Sequence, residues 1–300
     1  MPTTVRNHPP ARAWVDDVVA WFDVNARDLP WRSAETTAWG VLVSEVMLQQ
    51  TPVHRVLATY QEWMRRWPTP TALAADSPGD AVRAWGRLGY PRRALRLHAS
   101  AVACVERYDG AVPSMLEDLR ALPGVGEYTA AAVAAFAYVQ RCAVLDTNVR
   151  RVHARVMDGV EHPATPSITA SERARALELL PLDAARSATI GAAVMELGAL
   201  ICTARSPACD DCPISTSCTW LARGRPAWSG RPRRGQTYDG TDRQCRGRLL
   251  DVLREGDGAV ERAALEKVWS EPVQRERALD SLVADGLVEP LTDGTFALPR

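Results

Sequence analysis

The spacing of apolar residues predicts that most of this chain is α-helical. Hydrophobic side chains recur every three or four positions, and proline or glycine interrupts each periodic stretch. In the first stretch, residues 12–25, this spacing puts Trp14, Val18, Val19 and Phe22 on one helical face. Similar patterns predict helices at residues 38–51, 53–66, 71–75, 81–85, 94–108, 114–121, from about 127, 152–157, 169–180 and 188–204. We therefore expect a mainly α fold, and a hydrophobic content of 46% is sufficient for a real core.

The C-terminal part of the sequence has a different pattern. Predicted helices at 243–254, 261–269 and 272–285 precede two short strands at 288–291 and 295–298. Three helices and a β-hairpin are the pattern of a winged helix, and the stretch before them is rich in proline, glycine and arginine. We predict a helical core at 1–222, a basic linker at 223–242 and a winged-helix-like domain at 243–300.

Charge is unevenly distributed. The whole chain has a formal net charge of zero, but positions 223 to 248 contain eight arginines against two aspartates. This surplus suits a DNA backbone, although a solvated basic linker explains it equally well. No apolar run is long enough to cross a membrane and the N-terminus has no secretion signal. We expect a cytoplasmic monomer without membrane attachment, and we expect the C-terminal unit to pack on the core or contact a protein.

A glycine turn connects two of the predicted helices. In Leu122-Pro123-Gly124-Val125-Gly126, proline and glycine end one helix, and an alanine-rich helix begins at about Glu127. The backbone N–H groups of such a turn collect at a helix N-terminus, where they can bind an anion such as a phosphate.

Two acids stand out as candidates for chemistry. Glu45 is the one carboxylate of an apolar helix, and burial raises the pKa of a carboxyl toward the range that a general acid needs. A structural bond to a helix terminus is the alternative role for an isolated glutamate. Asp146 follows an apolar run and precedes a helix, so the residues alone favour an N-cap role for it or for Thr147.

Aromatic residues next to arginines suggest contact with nucleic acid. Trp31-Arg32 offers a flat ring and a forked donor, which suits an unstacked base, although Trp31 can also be an ordinary core residue. Gly89 permits a tight turn before Tyr90, and the arginines that follow can meet phosphate.

Four cysteines form the most specific motif in the sequence. Cys202, Cys209, Cys212 and Cys218 have the spacing C-x6-C-x2-C-x5-C, so their thiolates can enclose one tetrahedral metal ion or one cluster. A zinc site is the alternative that residue types alone leave open. Cys104, Cys142 and Cys245 remain outside the motif, and we expect them to be packing residues.

The motifs together resemble the helix-hairpin-helix DNA glycosylase superfamily, and within it the adenine DNA glycosylases of the MutY type. The resemblance covers about the first 220 residues and rests on SEVMLQQT, Leu-Gly-Tyr, LPGVG-x-YTA followed by D-x-N-V, and the cysteine spacing. It implies a two-lobed helical core with a [4Fe-4S] loop at residues 202–218, in which the cluster is structural. It also implies a DNA repair enzyme that flips adenine out of a mispair with 8-oxoguanine or guanine in double-stranded DNA.

The resemblance also implies roles for individual residues. Glu45 protonates the base, Asp146 stabilises the cationic sugar, and Tyr128 and Asn148 orient that acid and the water. Tyr90 wedges into the base stack opposite Gln50. The residues that it places on DNA are Arg32, Gln50, Thr51, Leu88, Tyr90, Leu122, Gly124, Gly126 and Arg150.

Departures from the family pattern shape the expected activity. Tyr128 stands where relatives that also cut the backbone have a lysine, and the single lysine, Lys267, lies far from the hairpin. We therefore expect a monofunctional glycosylase. Pro91 replaces a usual second aromatic residue, and we expect the usual Nudix-like C-terminal domain to be lacking. The alternatives are a glycosylase of the same fold for mispaired thymine or oxidised pyrimidine, and a non-catalytic DNA-binding protein.

Overall fold

The computed structural model describes residues 13–230 and 238–300. Its helices are α1 (Ala13–Asn25), α2 (Ala38–Leu48), α3 (Val53–Arg66), α4 (Pro70–Ala75), α5 (Pro78–Trp85), α6 (Arg92–Arg107), α7 (Leu116–Ala121), α8 (Glu127–Phe136), α9 (Thr147–His153), α10 (Ala170–Leu179), α11 (Ala184–Leu200), α12 (Thr219–Ala222), α13 (Asp242–Glu255), α14 (Arg262–Glu266) and α15 (Pro272–Ala284). Two short antiparallel strands, β1 (Glu289–Pro290) and β2 (Phe296–Ala297), follow them. The mainly α fold predicted from the apolar spacing is confirmed.

Several helix boundaries differ from the prediction by a few residues. The helix predicted to reach Thr51 ends at Leu48, and the helix predicted to reach residue 204 ends at Leu200. The helix predicted at 152–157 begins earlier, at Thr147, and continues as a π-helical turn, Ala154–Asp158. The early start at Thr147 follows from the Asp146 side chain, which accepts a hydrogen bond from the N–H of Val149 and so caps the helix.

The described chain divides into two compact units. The first contains residues 1–29 and 130–232, of which those from 13 to 230 are described. Its core is formed by α1, α9 and α11, with Val18, Val152 and Leu197 fully buried. Glu196 is also buried here, and both of its carboxylate oxygens accept hydrogen bonds from the Arg27 guanidinium at 2.7 Å.

The second unit contains residues 30–129 and 233–300, the latter described from 238. Buried tryptophans form its centre: Trp63 meets Trp67 edge-on at 4.8 Å between ring centroids and Trp85 at 5.4 Å. Trp39 donates its indole N–H to the carbonyl of Trp67 at 3.0 Å. This aromatic cluster joins α2, α3 and α5.

The C-terminal helices and strands belong to this second unit. Cys245, Leu249 and Leu253 of α13 and Leu282 of α15 are fully buried, and Phe296 of β2 is also buried. Three helices and a β-hairpin agree with the predicted winged-helix pattern. The boundaries predicted for the three parts of the chain stay a prediction, and part of the predicted linker, 231–237, lies outside the described residues.

Candidate active site

Glu45 lies in the most buried helix of the second unit. From Trp39 to Met47 every residue of α2 is buried, and Glu45 is only 6% exposed. The helix starts cleanly because the Thr37 hydroxyl accepts a hydrogen bond from the N–H of Gly40 at 3.2 Å. The carboxyl of Glu45 is therefore held in a low-dielectric environment on a rigid element.

The chain turns sharply immediately after α2. Gln50 has a positive φ of 57° and is exposed, whereas Thr51 is buried. The Thr51 hydroxyl donates to the carbonyl of Leu88 at 3.3 Å, and the Gln49 amide donates to the Thr129 hydroxyl at 3.3 Å. The turn presents Gln50 to solvent while its neighbours anchor it, and the buried Thr51 side chain is engaged within the protein.

The loop between α5 and α6 is a second segment in which the backbone adopts positive φ values. Gly86, Gly89 and Tyr90 have φ values of 52°, 83° and 50°. Such a φ costs a non-glycine residue of the order of 1–2 kcal/mol, so surrounding contacts must hold it. Tyr90 remains 50% exposed, whereas Leu88 is buried. The loop thus uses Leu88 as an anchor and projects Tyr90.

Arg93 connects the turn to the loop, and sequence reasoning missed this role. Its guanidinium is 5% exposed and donates to the carbonyls of Val46 and Met47 at 2.9 Å. It also donates to the Gln49 carbonyl at 2.6 Å, the Thr51 hydroxyl at 2.8 Å and the Gly89 carbonyl at 3.0 Å. These acceptors include carbonyls that the end of α2 leaves unpaired. Burial lowers the pKa of Arg93 to about 10.

The predicted phosphate turn has the expected local geometry. Leu122 is buried, Gly124 has a φ of 78°, and the backbone at Gly124 and Gly126 is exposed. Ser100 donates its hydroxyl to the carbonyl of Pro123 at 2.6 Å, which fixes the turn on α6. The exposed glycines leave backbone N–H groups open to an anion, whereas the Leu122 side chain is inside and its N–H donates to the Leu119 carbonyl at 3.2 Å.

Two further predicted residues are half-buried in this unit. Tyr128 lies in the first turn of α8, next to the glycine turn. Arg32 ends a 3-10 turn, and its neighbour Trp31 packs edge-on against Tyr60 at 5.2 Å between centroids. Trp31 is therefore a packing residue as well as a candidate for contact with a base.

Asp146 caps α9 in the first unit. One carboxylate oxygen accepts from the N–H of Val149 at 2.7 Å and the other from the Asn148 amide at 2.9 Å. Burial raises the pKa of Asp146, and these hydrogen bonds oppose the increase. The capping role and a chemical role are compatible, because the cap fixes the carboxylate while Asn148 orients it.

Two arginines of α9 serve the fold. Arg151 donates to the Asn148 side-chain oxygen at 2.8 Å and to the carbonyl of Cys202 at 2.7 Å. Arg150, predicted to contact DNA, is instead directed into the protein in this structure. Arg150 is 7% exposed, pairs with Glu172 at 2.8 Å and donates to three carbonyls of residues 165–167. Each nitrogen of its guanidinium donates at least one hydrogen bond inside the protein.

The four motif cysteines follow α11 in one tight loop. Cys202, Cys212 and Cys218 border the apolar core of the first unit. Burial raises the pKa of Cys212 to about 11, and the other motif thiols make smaller contributions in the same direction. Among the described residues no three metal-binding side chains are close enough for a single ion. A cluster needs a wider cage, since iron and sulfide atoms separate its thiolates.

Arg155 lies beside this loop in the π-helical turn. It is 1% exposed, lies over the Trp220 ring at 4.5 Å, and donates to the Cys202 sulfur at 3.2 Å and to the Thr203 carbonyl at 2.8 Å. A buried cation that donates to a ligand sulfur suits an anionic thiolate cage. The residues present therefore fit a cluster.

Comparison with known proteins identifies the family. A model described as the HhH-GPD superfamily base excision DNA repair protein matches residues 43–178, and one described as the iron-sulfur binding domain of endonuclease III matches residues 202–218. The adenine DNA glycosylase of Mycobacterium tuberculosis (strain CDC 1551 / Oshkosh) is 52% identical over 284 residues, which cover 94% of this chain and 92% of that protein. The adenine DNA glycosylase of Mycolicibacterium smegmatis is 52% identical over 283 residues, which cover 94% of each chain.

The chain belongs to the adenine DNA glycosylase family. A solved structure of an endonuclease III in a non-covalent DNA complex has a TM-score of 0.60 at 22% identity and covers 72% of this chain and 97% of its own, which supports the fold. The predicted resemblance and the [4Fe-4S] cluster in the loop at residues 202–218 are confirmed, and the assignment of its ligands to Cys202, Cys209, Cys212 and Cys218 stays a prediction. This adenine DNA glycosylase is an enzyme of base excision repair that binds DNA. No helix among its described residues is long and apolar enough to span a membrane.

Proposed function

We propose that this adenine DNA glycosylase excises adenine mispaired with 8-oxoguanine or guanine in double-stranded DNA. The observation that carries the proposal is the setting of each of its two acids. Glu45 is buried in an apolar helix, and Asp146 is fixed by hydrogen bonds at the N-terminus of α9. A buried carboxyl suits a general acid, and a fixed carboxylate suits the stabilisation of a cationic sugar.

The proposed reaction is hydrolysis of the bond between adenine and its sugar. Glu45 gives a proton to the purine, so the base leaves as a neutral group and its bonding electrons leave with it. The sugar is left as an oxocarbenium ion, and Asp146 stabilises this charge, in the manner of a retaining glycosidase. Water then adds to the sugar and loses a proton, with Tyr128 and Asn148 as orienting residues. The products are free adenine and an abasic site.

The absence of a lysine nucleophile favours a reaction that stops at this point. The single lysine of the sequence, Lys267, is an exposed residue at the end of α14. A Schiff base with the sugar needs an amine at the site. Since Tyr128 occupies the position of the usual lysine, we infer a monofunctional glycosylase that leaves the strand intact.

DNA contact is assigned to groups that the fold leaves accessible. Tyr90 and Gln50 project from turns with positive φ, and Gly124 and Gly126 expose their backbone. Tyr90 enters the base stack, and its contacts offset part of the cost of unstacking the adenine. Arg32 completes the set, while Thr51, Leu88 and Leu122 position the exposed residues from beneath. The cluster holds the loop at residues 202–218 in place, and we propose that the protein acts as a monomer.

A panel of duplexes tests the choice of substrate. Base release is measured under single-turnover conditions on A:8-oxoG, A:G, T:G and thymine glycol duplexes. We expect release from A:8-oxoG and A:G, because Gln49 and Gln50 follow the acid where thymine-removing relatives tend to have arginine. Faster release from T:G would contradict the proposal. No release from any duplex would make the protein a DNA-binding protein instead.

A further inference from the structure

Two arginines bind the C-terminal unit, residues 242–300, to the helix that precedes the Tyr90 loop. Arg83 of α5 donates to the carbonyls of Arg254 and Gly256 at the end of α13, the latter at 2.6 Å. In return, Arg254 donates from Nε to the carbonyl of Val82, in the last turn of α5, at 3.0 Å. Each helix thus satisfies carbonyls that the other leaves unpaired at its C-terminus.

The other end of α5 is also bound by this unit. The N–H of Gly79, in the first turn of α5, donates to the carbonyl of Pro299 at 2.8 Å. The approach requires a glycine, since a Cβ at position 79 would lie 2.4 Å from that oxygen and 2.9 Å from Leu298. Both ends of α5 therefore depend on residues of the C-terminal unit.

The loop that follows α5 meets the same unit on both sides. Arg87, one residue before Leu88, lies 3.2 Å from Asp251, and Arg92, the first residue of α6, lies 3.2 Å from Asp285. Exposed ion pairs of this kind contribute little by themselves. They show, however, that the C-terminal unit contacts the chain immediately before and after the strained backbone at Gly89 and Tyr90.

The surface charges of the C-terminal unit are largely compensated within it. Arg277 pairs with Asp242 at 2.7 Å, Arg262 with Glu276 at 2.7 Å, and Arg246 with Asp285 at 2.6 Å. These pairs leave less free positive charge for a DNA backbone. The largely buried Arg254 is instead directed at α5.

We propose that the C-terminal unit supports the Tyr90 loop, fixing α5 and the start of α6 so that Tyr90 is preorganised for insertion into DNA. The inference rests on the proposed role of Tyr90 as the residue that enters the base stack. A loop with left-handed residues persists only where its surroundings over-determine it. Trp85 and Arg93 hold the Gly89 carbonyl from inside, both at 3.0 Å, and the C-terminal unit holds the flanking helices from outside.

The test compares two arginine variants of the full-length enzyme. Arg254→Gln removes the bond to Val82, and Arg277→Gln, the control, removes an exposed ion pair within the same unit. Binding is measured on a duplex with 2′-fluorinated deoxyadenosine opposite 8-oxoguanine, because the fluorine destabilises a cationic sugar and prevents release. We expect about tenfold weaker binding for Arg254→Gln, the loss typical of a hydrogen bond from a charged group, and none for Arg277→Gln.

Two further measurements separate support of the loop from direct DNA contact. Amide hydrogen exchange at residues 86–90 of the free protein should accelerate in Arg254→Gln and in Arg83→Gln, but not in the control. The slope of the logarithm of the binding constant against the logarithm of the salt concentration should be the same in Arg254→Gln and wild type. Removing a residue that contacts phosphate would instead reduce that slope by about one. Unchanged exchange, or a reduced slope, would overturn the inference. If Arg254→Gln does not unfold cooperatively, Arg254→Lys replaces it under the same criteria.

A Tyr90→Ala variant distinguishes failure of this inference from failure of the proposed function. Suppose that Tyr90→Ala binds weakly while Arg254→Gln and Arg83→Gln keep wild-type binding and hydrogen exchange. That result would refute only the proposed support of the loop by the C-terminal unit. Wild-type binding by Tyr90→Ala would refute the insertion role itself, and the support inference with it.

Discussion

The two acids are held by different kinds of contact, one local and one long-range. Asp146 receives its hydrogen bonds from Asn148 and Val149, which follow it directly in the chain. Glu45 lies in a helix whose final carbonyls are bound by Arg93, far along the sequence. The position of Asp146 is therefore encoded in a short motif, whereas the position of Glu45 depends on tertiary packing. The two regions should therefore respond differently to substitution.

The largest effect is expected at the buried acid. Glu45→Gln keeps the shape of the side chain but removes the proton, so base release should fall by about 10²–10⁴, the usual contribution of general acid catalysis. Single-turnover release measures the loss, and binding to the same duplex should persist. Glu62→Gln, an exposed substitution of the same type on α3, is the control. Release near the wild-type rate in Glu45→Gln would remove Glu45 from its role.

Asp146→Asn should separate activity from stability. Release should fall by about 10²–10³, because a fixed charge no longer stabilises the sugar cation. The melting temperature should change little, since asparagine keeps the bond from the N–H of Val149 and buries no charge, which offsets the loss of the bond from the Asn148 amide. A large drop in melting temperature would mean that the carboxylate is chiefly structural.

The pH dependence of that stability follows from the raised pKa of Asp146. The folded protein keeps this proton to a higher pH than the unfolded chain, in which the pKa is near the ordinary 3.8. Ionisation of Asp146 therefore lowers stability as pH rises from 3.8 through the folded pKa, and the loss is constant above it. Thermal melts of wild type and Asp146→Asn should converge at acidic pH. A gap that widens on acidification would contradict the direction of the shift.

The cluster loop at residues 202–218 is a second feature that a short motif encodes, and substitution of one cysteine tests it. Cys209→Ser removes one ligand, so the purified protein should lose most of the broad visible absorbance of the cluster. Cys104→Ser changes a buried thiol outside the motif and should retain the absorbance. Iron and zinc analysis of both proteins completes the measurement. A colourless wild-type protein that contains zinc would refute the cluster.

The smallest effect is expected at the long-range contact. Arg93→Lys keeps the charge but cannot match the forked geometry that reaches five acceptors in α2, its turn and the Tyr90 loop. We expect about tenfold weaker DNA binding, from the loss of charged hydrogen bonds, and a smaller change in release from bound duplex. Arg107→Lys on the exposed end of α6 is the matched control. Equal binding by the two variants would show that Arg93 does not position the loop.

Much of the fold was predictable because its signals are local. Apolar periodicity located the helices, the glycine turn located the hairpin, and the cysteine spacing located the cluster. The Asp146 cap was recognisable for the same reason, since its partners lie within three residues. A motif that contains its own contacts can be identified without knowing the rest of the fold.

The remainder was not predictable, because it depends on residues that are distant in sequence. The end of α2 at Leu48 and the left-handed Gln50 depend on Arg93, whose many acceptors no spacing rule identifies. The pairing of Arg150 within the protein was not predictable for the related reason that its partner, Glu172, belongs to another helix. An arginine in sequence has the same appearance whether it binds a phosphate or a carbonyl.

The tryptophan cluster of the second unit also provides an optical probe. Trp85 shares the aromatic cluster with Trp63 and donates its indole N–H to the Gly89 carbonyl, one residue from Tyr90. Intrinsic fluorescence therefore originates partly from a ring bonded to the segment proposed to enter DNA. A change in emission on adding duplex would time the movement of that segment without any attached dye.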